Sequence, residues 1–173
     1  YKNYAVEKAY DGKVSDQSRW IGKADADGKI WLELKFEKRQ QVAGVHIYSG
    51  YKESDAIEDC YFEFKDGSGQ WVKIPSSVLS GNRATALSLP FDTTVDVDTD
   101  ALRLVVTKTK DNMARVKEVV IWPDNGKALP ALKKQSNGHD VEVPLIYLNQ
   151  TGFNLGKIKR FTAPKTEDGT PFK

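Results

Sequence analysis

Residues 30–36, Ile30-Trp31-Leu32-Glu33-Leu34-Lys35-Phe36, place an apolar side chain at every even position and a charge at two of the odd ones. Successive side chains of an extended chain point to opposite faces, so this alternation describes a strand with one face on a core and the other toward water. Similar short runs follow at 42–48, 60–65, 71–74, 86–91, 101–107 and 116–122. Around them Asp11-Gly12, Asp27-Gly28, Asp66-Gly67 and Ser80-Gly81 supply the positive φ that tight turns need, and no long window carries helical spacing. The expectation is an all-β chain folded as an antiparallel β-sandwich of the jelly-roll type.

Composition narrows the function. The 173 residues are 39% hydrophobic, enough for a core, and 26 Lys+Arg against 24 Asp+Glu leave a formal charge of only +2. No basic block interleaves with aromatics, so nucleic acid is not an expected partner. No apolar run approaches the ~20 residues of a membrane span, and Tyr1-Lys2-Asn3-Tyr4 does not open a signal peptide. The expectation is a soluble chain from which any signal has been removed. The single Cys60 allows neither an internal disulfide nor a thiolate zinc site. A nucleophile–histidine device would have to use His46, which reads as an outward-facing strand residue in Val45-His46-Ile47-Tyr48, or His139, which reads as solvated. Gly67-Ser68-Gly69 lacks the third glycine and the helix of a dinucleotide loop, and Asn149-Gln150-Thr151 is a glycosylation sequon that matters only in a eukaryotic secretory pathway.

The character of the chain changes at Pro123-Asp124-Asn125-Gly126. Residues 1–124 read as one domain, 125–143 as a linker rich in Lys, Asn, Gly and Pro, and 144–173 as a restart of strand-like pattern. Some 30 residues cannot build their own core, so the last segment is either the opening of a second β module or a tail docking on the sandwich.

From about Tyr4 to Trp122 the chain resembles the discoidin, or coagulation factor 5/8 type C, family, and within it the family 32 carbohydrate-binding modules of bacterial glycan-degrading enzymes. Six pieces in order carry the resemblance: Ala9-Tyr10-Asp11-Gly12 with Ser18-Arg19-Trp20, Trp31-Leu32-Glu33-Leu34, Val42 to Ser49, Tyr61 to Gly67 leading to Trp71, Leu102 to Thr107, and Ala114 to Trp122. Two departures stand out. A further strand usual before the first piece is missing or shortened, and the Cys pair usual in animal members is absent, which points to the bacterial branch. The tail, Leu145 to Phe153 with Lys159-Arg160-Phe161, resembles the start of the immunoglobulin-like module that precedes the catalytic domain in family 9 glycoside hydrolases.

Two carboxylates are the first site candidates. Glu118 lies in Val116-Lys117-Glu118-Val119-Val120-Ile121, where both faces are largely apolar, and a carboxylate buried there costs several kcal/mol unless a cation meets it. Asp11 to Arg19 is a polar loop able to fold around a hard ion. The resemblance implies a structural calcium held by the Asp11 and Glu118 side chains, by Ser18 through hydroxyl and carbonyl, and by the carbonyls of Lys8, Lys13 and Lys117. A Lys or Arg partner for Glu118 is the alternative. Asp25-Ala26-Asp27-Gly28 starts like an EF-hand loop but meets Leu34 where that loop needs Glu, and reads as a turn. Asp96, Asp98 and Asp100 read as one solvated face of an extended segment.

Sugars stack on exposed aromatic rings and are oriented by polar side chains. Trp20, Trp31, Trp71 and Trp122 fall where the family packs its core. The expected ligand residues are therefore on loops: Tyr51 as the stacking ring, with Arg83 and Asn82, and Asn112 with Lys110, as hydrogen-bonding groups. The 21–29 loop with Lys23, Asp25 and Asp27 is the next place to look. The reading is a non-catalytic carbohydrate-binding module, monomeric, carrying calcium, acting outside the cytoplasm (extracellular, periplasmic or cell-surface) and covalently linked to a catalytic or immunoglobulin-like module. Two alternatives are an adhesion module for protein or lipid head groups, and a glycoside hydrolase using its own acids; Glu53 and Asp55, two residues apart on one loop, make a poor catalytic clamp.

Overall fold

The computed structural model describes residues 3–92 and 94–132, with the backbone of 141–142. Strands run in chain order as β1 (Lys13–Val14), β2 (Trp20–Lys23), β3 (Ile30–Ser49), β4 (Asp59–Lys65), β5 (Trp71–Lys73), β6 (Ala86–Pro90), β7 (Asp98–Lys108), β8 (Met113–Pro123) and β9 (Val141–Glu142), with 3₁₀ turns at Val6–Ala9 and Pro75–Ser77. The runs expected at 30–36 and 42–48 are thus the two halves of one strand. Between them the ladder to β7 slips at Lys35/Gln40, where Glu37, Lys38 and Arg39 are exposed. A slip of this kind bends a strand and lets it leave one layer for another. Arg39 pins the bend through its Nε donation to Asp98 Oδ2 at 2.7 Å.

The first half of β3 pairs with β7, which continues through β4 to β5; the second half lies between β8 and β6, and β8 continues to β2. All these pairings are antiparallel. The even side chains Ile30, Leu32 and Leu34 meet Val45, Ile47, Phe62, Leu102, Leu104, Val106, Val116 and Val119 in one core. Each such side chain contributes on the order of 1.5–3 kcal/mol by leaving water. The expected all-β sandwich is what the chain forms. Cys60 is buried in this core, where desolvation first and the charge of Asp59 second push its thiol up to about 12.

Several expectations change. Trp20-Ile21-Gly22-Lys23, too short to show alternation, is strand β2, antiparallel to β8. Trp31 is not core: it is 50% exposed on the outer side of its layer. On that side Trp71 is covered by the Arg103 guanidinium, 4.2 Å from its ring, and Arg103 is bonded in turn to Glu63. His46 does point away from the main core, yet it is only 3% exposed, because a strap from the following chain lies over it. The His46 ring bonds the Pro130 carbonyl and meets Trp122 edge-on at 5.3 Å. Leu132 packs with Val14, Tyr48, Val120 and Trp122 in a second, smaller cluster. The stretch expected as a linker is therefore applied to the sandwich in its first part, and Glu142 of β9 stands opposite Lys13 of β1. His139, the sequon at Asn149 and the expected module at 144–173 lie outside the described residues.

Candidate functional site

Strand ends bring the candidate loops together. β3 ends at Ser49, β4 starts at Asp59, β6 starts at Ala86, and β7 turns into β8 across 109–112, so the loops 50–58, 80–85 and 109–112 gather at one end of the sandwich. Lys23 of β2 stands opposite Met113, which puts the 24–29 turn at the same end. That turn is closed by Asp25, whose Oδ1 accepts from the Asp27 and Lys29 amides, and not by an ion-binding pattern.

Loop 50–55 is tightly formed. Tyr51 and Ser54 exchange two backbone hydrogen bonds of 2.8 and 2.9 Å, and the Ser54 hydroxyl donates to the Tyr51 carbonyl. Lys52, Glu53 and Asp55 all have positive φ (47°, 60° and 55°). Each left-handed non-glycine costs roughly 1–2 kcal/mol, so the surroundings must hold the loop in place. Tyr51 is half-buried, and the Arg19 guanidinium covers its ring at 4.6 Å while also lying 4.7 Å from the Tyr4 ring. The ring expected to receive a sugar is thus already stacked by a cation, with Lys52 Nζ at 5.3 Å as well.

Beside this loop lies a cleft of about 300 Å³ lined by Asp55, Ala56, Glu58, Gly81, Asn82, Arg83, Lys108 and Lys110. Three of the five expected ligand residues, Asn82, Arg83 and Lys110, line it; Tyr51 and Asn112 do not. Lys108 pairs with Glu58 at 3.0 Å and Lys110 with Asp55 at 3.5 Å. Asn82 is spent on the wall: its amide donates to the Ile57 and Ala84 carbonyls and accepts from the Ala84 amide. Arg83 is exposed at the rim, with no hydrogen-bond or ion-pair partner among the described residues. Asn112 is exposed with φ 56°, at the turn that Asp111 closes by gripping Arg115 with both oxygens. Hydrogen bonding to Arg115 outweighs desolvation there and holds the Asp111 carboxyl below its usual range. The cleft offers guanidinium, ammonium and carboxylate groups within one shallow space, which suits a ligand rich in hydroxyls.

The second constellation forms behind these loops. Glu118 on β8 is fully buried and its Oε2 accepts from the Gly12 amide at 3.0 Å; the Ser18 hydroxyl donates to Asp11 Oδ2, and the Lys13 amide to Asp11 Oδ1. The structure thus brings Asp11, Ser18 and Glu118 around one loop, with Lys8 in the 3₁₀ turn Val6–Ala9 and Lys13 in β1 on either side. Among the described residues no three His, Cys, Asp or Glu side chains form a metal-binding group. An ion here would draw on two carboxylates, a hydroxyl and backbone carbonyls, a donor set that fits calcium. The Lys117 side chain, 5% exposed, reaches Asp16 Oδ1 at 2.9 Å. Asp16 was missed by sequence reasoning. Its partners Lys52 and Lys117 are far away along the chain, and no local spacing signals such a contact. Arg19, in contrast, stood in plain view in Ser18-Arg19-Trp20 and was passed over because its ring partners come from two other segments.

Residues 1–119 match the model of the F5/8 type C domain. No curated protein sequence matches the chain. Among solved structures, the family 32 carbohydrate-binding module of Streptococcus pneumoniae EndoD aligns at a TM-score of 0.57 and 16% identity, covering 70% of this chain and 87% of that one. Chitosan-binding module 1 of a chitosanase/glucanase from Paenibacillus sp. IK-5 gives 0.56 and 12% over 70% and 87%. A pectin binding carbohydrate binding module gives 0.56 and 19% over 75% and 86%. At these identities the likeness is one of fold.

Proposed function

The chain belongs to the F5/8 type C domain family, and from that premise we propose that it is a non-catalytic carbohydrate-binding module whose saccharide sits in the cleft between loops 50–58, 80–85 and 109–112. The observation that carries the reading is the cleft itself, with its paired lysines and carboxylates and, at its rim, Arg83, which has no partner among the described residues. Charge-assisted hydrogen bonds to hydroxyls in an open, shallow site give weak affinity, on the order of 10⁻³–10⁻⁵ M. Such a module acts from outside the cytoplasm as a monomer, holding a covalently attached glycan-degrading enzyme near its substrate by raising effective concentration. A structural calcium between Asp11, Ser18 and Glu118 completes the proposal; it would neutralise the buried carboxylate and fix the 10–18 loop. A glycan array followed by titration tests the function. Binding of a saccharide without turnover, weakened by Arg83→Ala, is expected; turnover by the isolated chain, or no saccharide bound, overturns it.

A further inference from the structure

The structure assigns Asp16 as a positioning residue for the saccharide site, one that touches no ligand and acts by holding loop 50–55 in its left-handed form; the assignment rests on the carbohydrate-binding reading above. Both carboxylate oxygens of Asp16 accept from the Lys52 amide at 3.2 Å, and Lys52 is the first of the loop's three non-glycine residues with positive φ. The same carboxylate meets the buried Lys117 ammonium of β8 at 2.9 Å, and the Asp16 carbonyl accepts from the Arg19 guanidinium that stacks on Tyr51. One residue therefore ties the loop's backbone, through Lys52, and its ring, through Arg19, to a core strand. The far end of the loop carries Asp55, which lines the cleft and bonds Lys110, so the wall of the cleft is set by where this anchor puts the loop. A site held in its productive geometry before the ligand arrives binds more tightly because less ordering remains to be done.

The test must separate positioning from simple stability, because Asp16→Ala leaves a buried ammonium without its partner. We therefore pair it with Asp16→Ala/Lys117→Met, which removes that ammonium and restores folding while the Lys52 amide stays unanchored. Melting temperature, amide hydrogen exchange at Lys52, and titration with galactose, chitotriose and polygalacturonate are read for wild type and both variants. The expected result is a double variant with near wild-type melting temperature, fast exchange at Lys52 with β7 and β8 still protected, and affinity about tenfold weaker for whichever probe the wild type binds. Affinity that returns with the melting temperature, or Lys52 exchange that does not change, overturns the assignment. If the wild type binds none of the probes, the carbohydrate reading fails for them, while the exchange at Lys52 still decides whether Asp16 holds the loop.

Discussion

His46 illustrates how much the fate of one side chain depends on segments remote in sequence. Its run, Val45 to Tyr48, reads as a strand with the imidazole toward solvent, and the strand is there; what covers the imidazole is Pro130 and Trp122. Desolvation lowers the His46 pKa below 6.5, against the opposing effect of its bond to the Pro130 carbonyl. A histidine whose folded-state pKa is depressed contributes stability that is present above 6.5 and lost as pH falls through the folded-state value. Melting temperature is therefore expected to fall between pH 7.5 and pH 5.5, and His46→Phe, which cannot take up the proton, should fall less over the same interval. Equal slopes for the two proteins in a pH series would show that His46 takes up its proton under the strap as readily as in the unfolded chain, so that burial does not lower its pKa.

At the scale of elements, the long alternating runs were legible because each has one face on the core, as at Leu32 and Leu34. Strand β2 was not, because four residues cannot display a period, and the strap was not, because Asn125 to Leu132 has the composition of a linker and is held by two leucines only after β3 and β8 provide a surface. Gly44 is the point where that surface must be bare. A Cβ there would lie 2.5 Å from the Leu89 carbonyl oxygen and 2.8 Å from Leu129 Cδ2. Gly44→Ala is expected to destabilise by about 1–3 kcal/mol, the usual range for overpacking. Gly67→Ala, where an added Cβ meets nothing within 4 Å, is the matched control and should be close to neutral in denaturant titration.

For the whole molecule, the two site clusters are legible to different degrees. Glu118 was legible as a carboxylate in a run apolar on both faces, its grouping with Asp11 and Ser18 was what the family resemblance implied, and the fold brings those residues around one loop. The ligand loops were located, but their internal economy was not: Asn82 is committed to backbone and Tyr51 to Arg19, which depends on contacts between loops that have no spacing in sequence. If the loop holds calcium, adding calcium to protein stripped with EDTA raises stability by about 2.7 kcal/mol at a hundredfold excess over the dissociation constant. Glu118→Gln keeps an acceptor for the Gly12 amide but loses the charge, so its melting temperature should not respond to calcium. A wild type equally indifferent to EDTA and calcium would place the neutralising charge for Glu118 elsewhere.

Strand β3 belongs to both layers, and its partners β7 and β8 begin only at Asp98 and Met113. During synthesis Leu32, Leu34, Val45 and Ile47 emerge well before β7 and β8, so the ribosome-bound chain carries a twenty-residue strand that only β6 can pair, and only along its second half, until almost the entire sandwich has been translated. Folding then proceeds from distant pairings, which is slow, and sets a demand on chaperones that the finished molecule no longer displays.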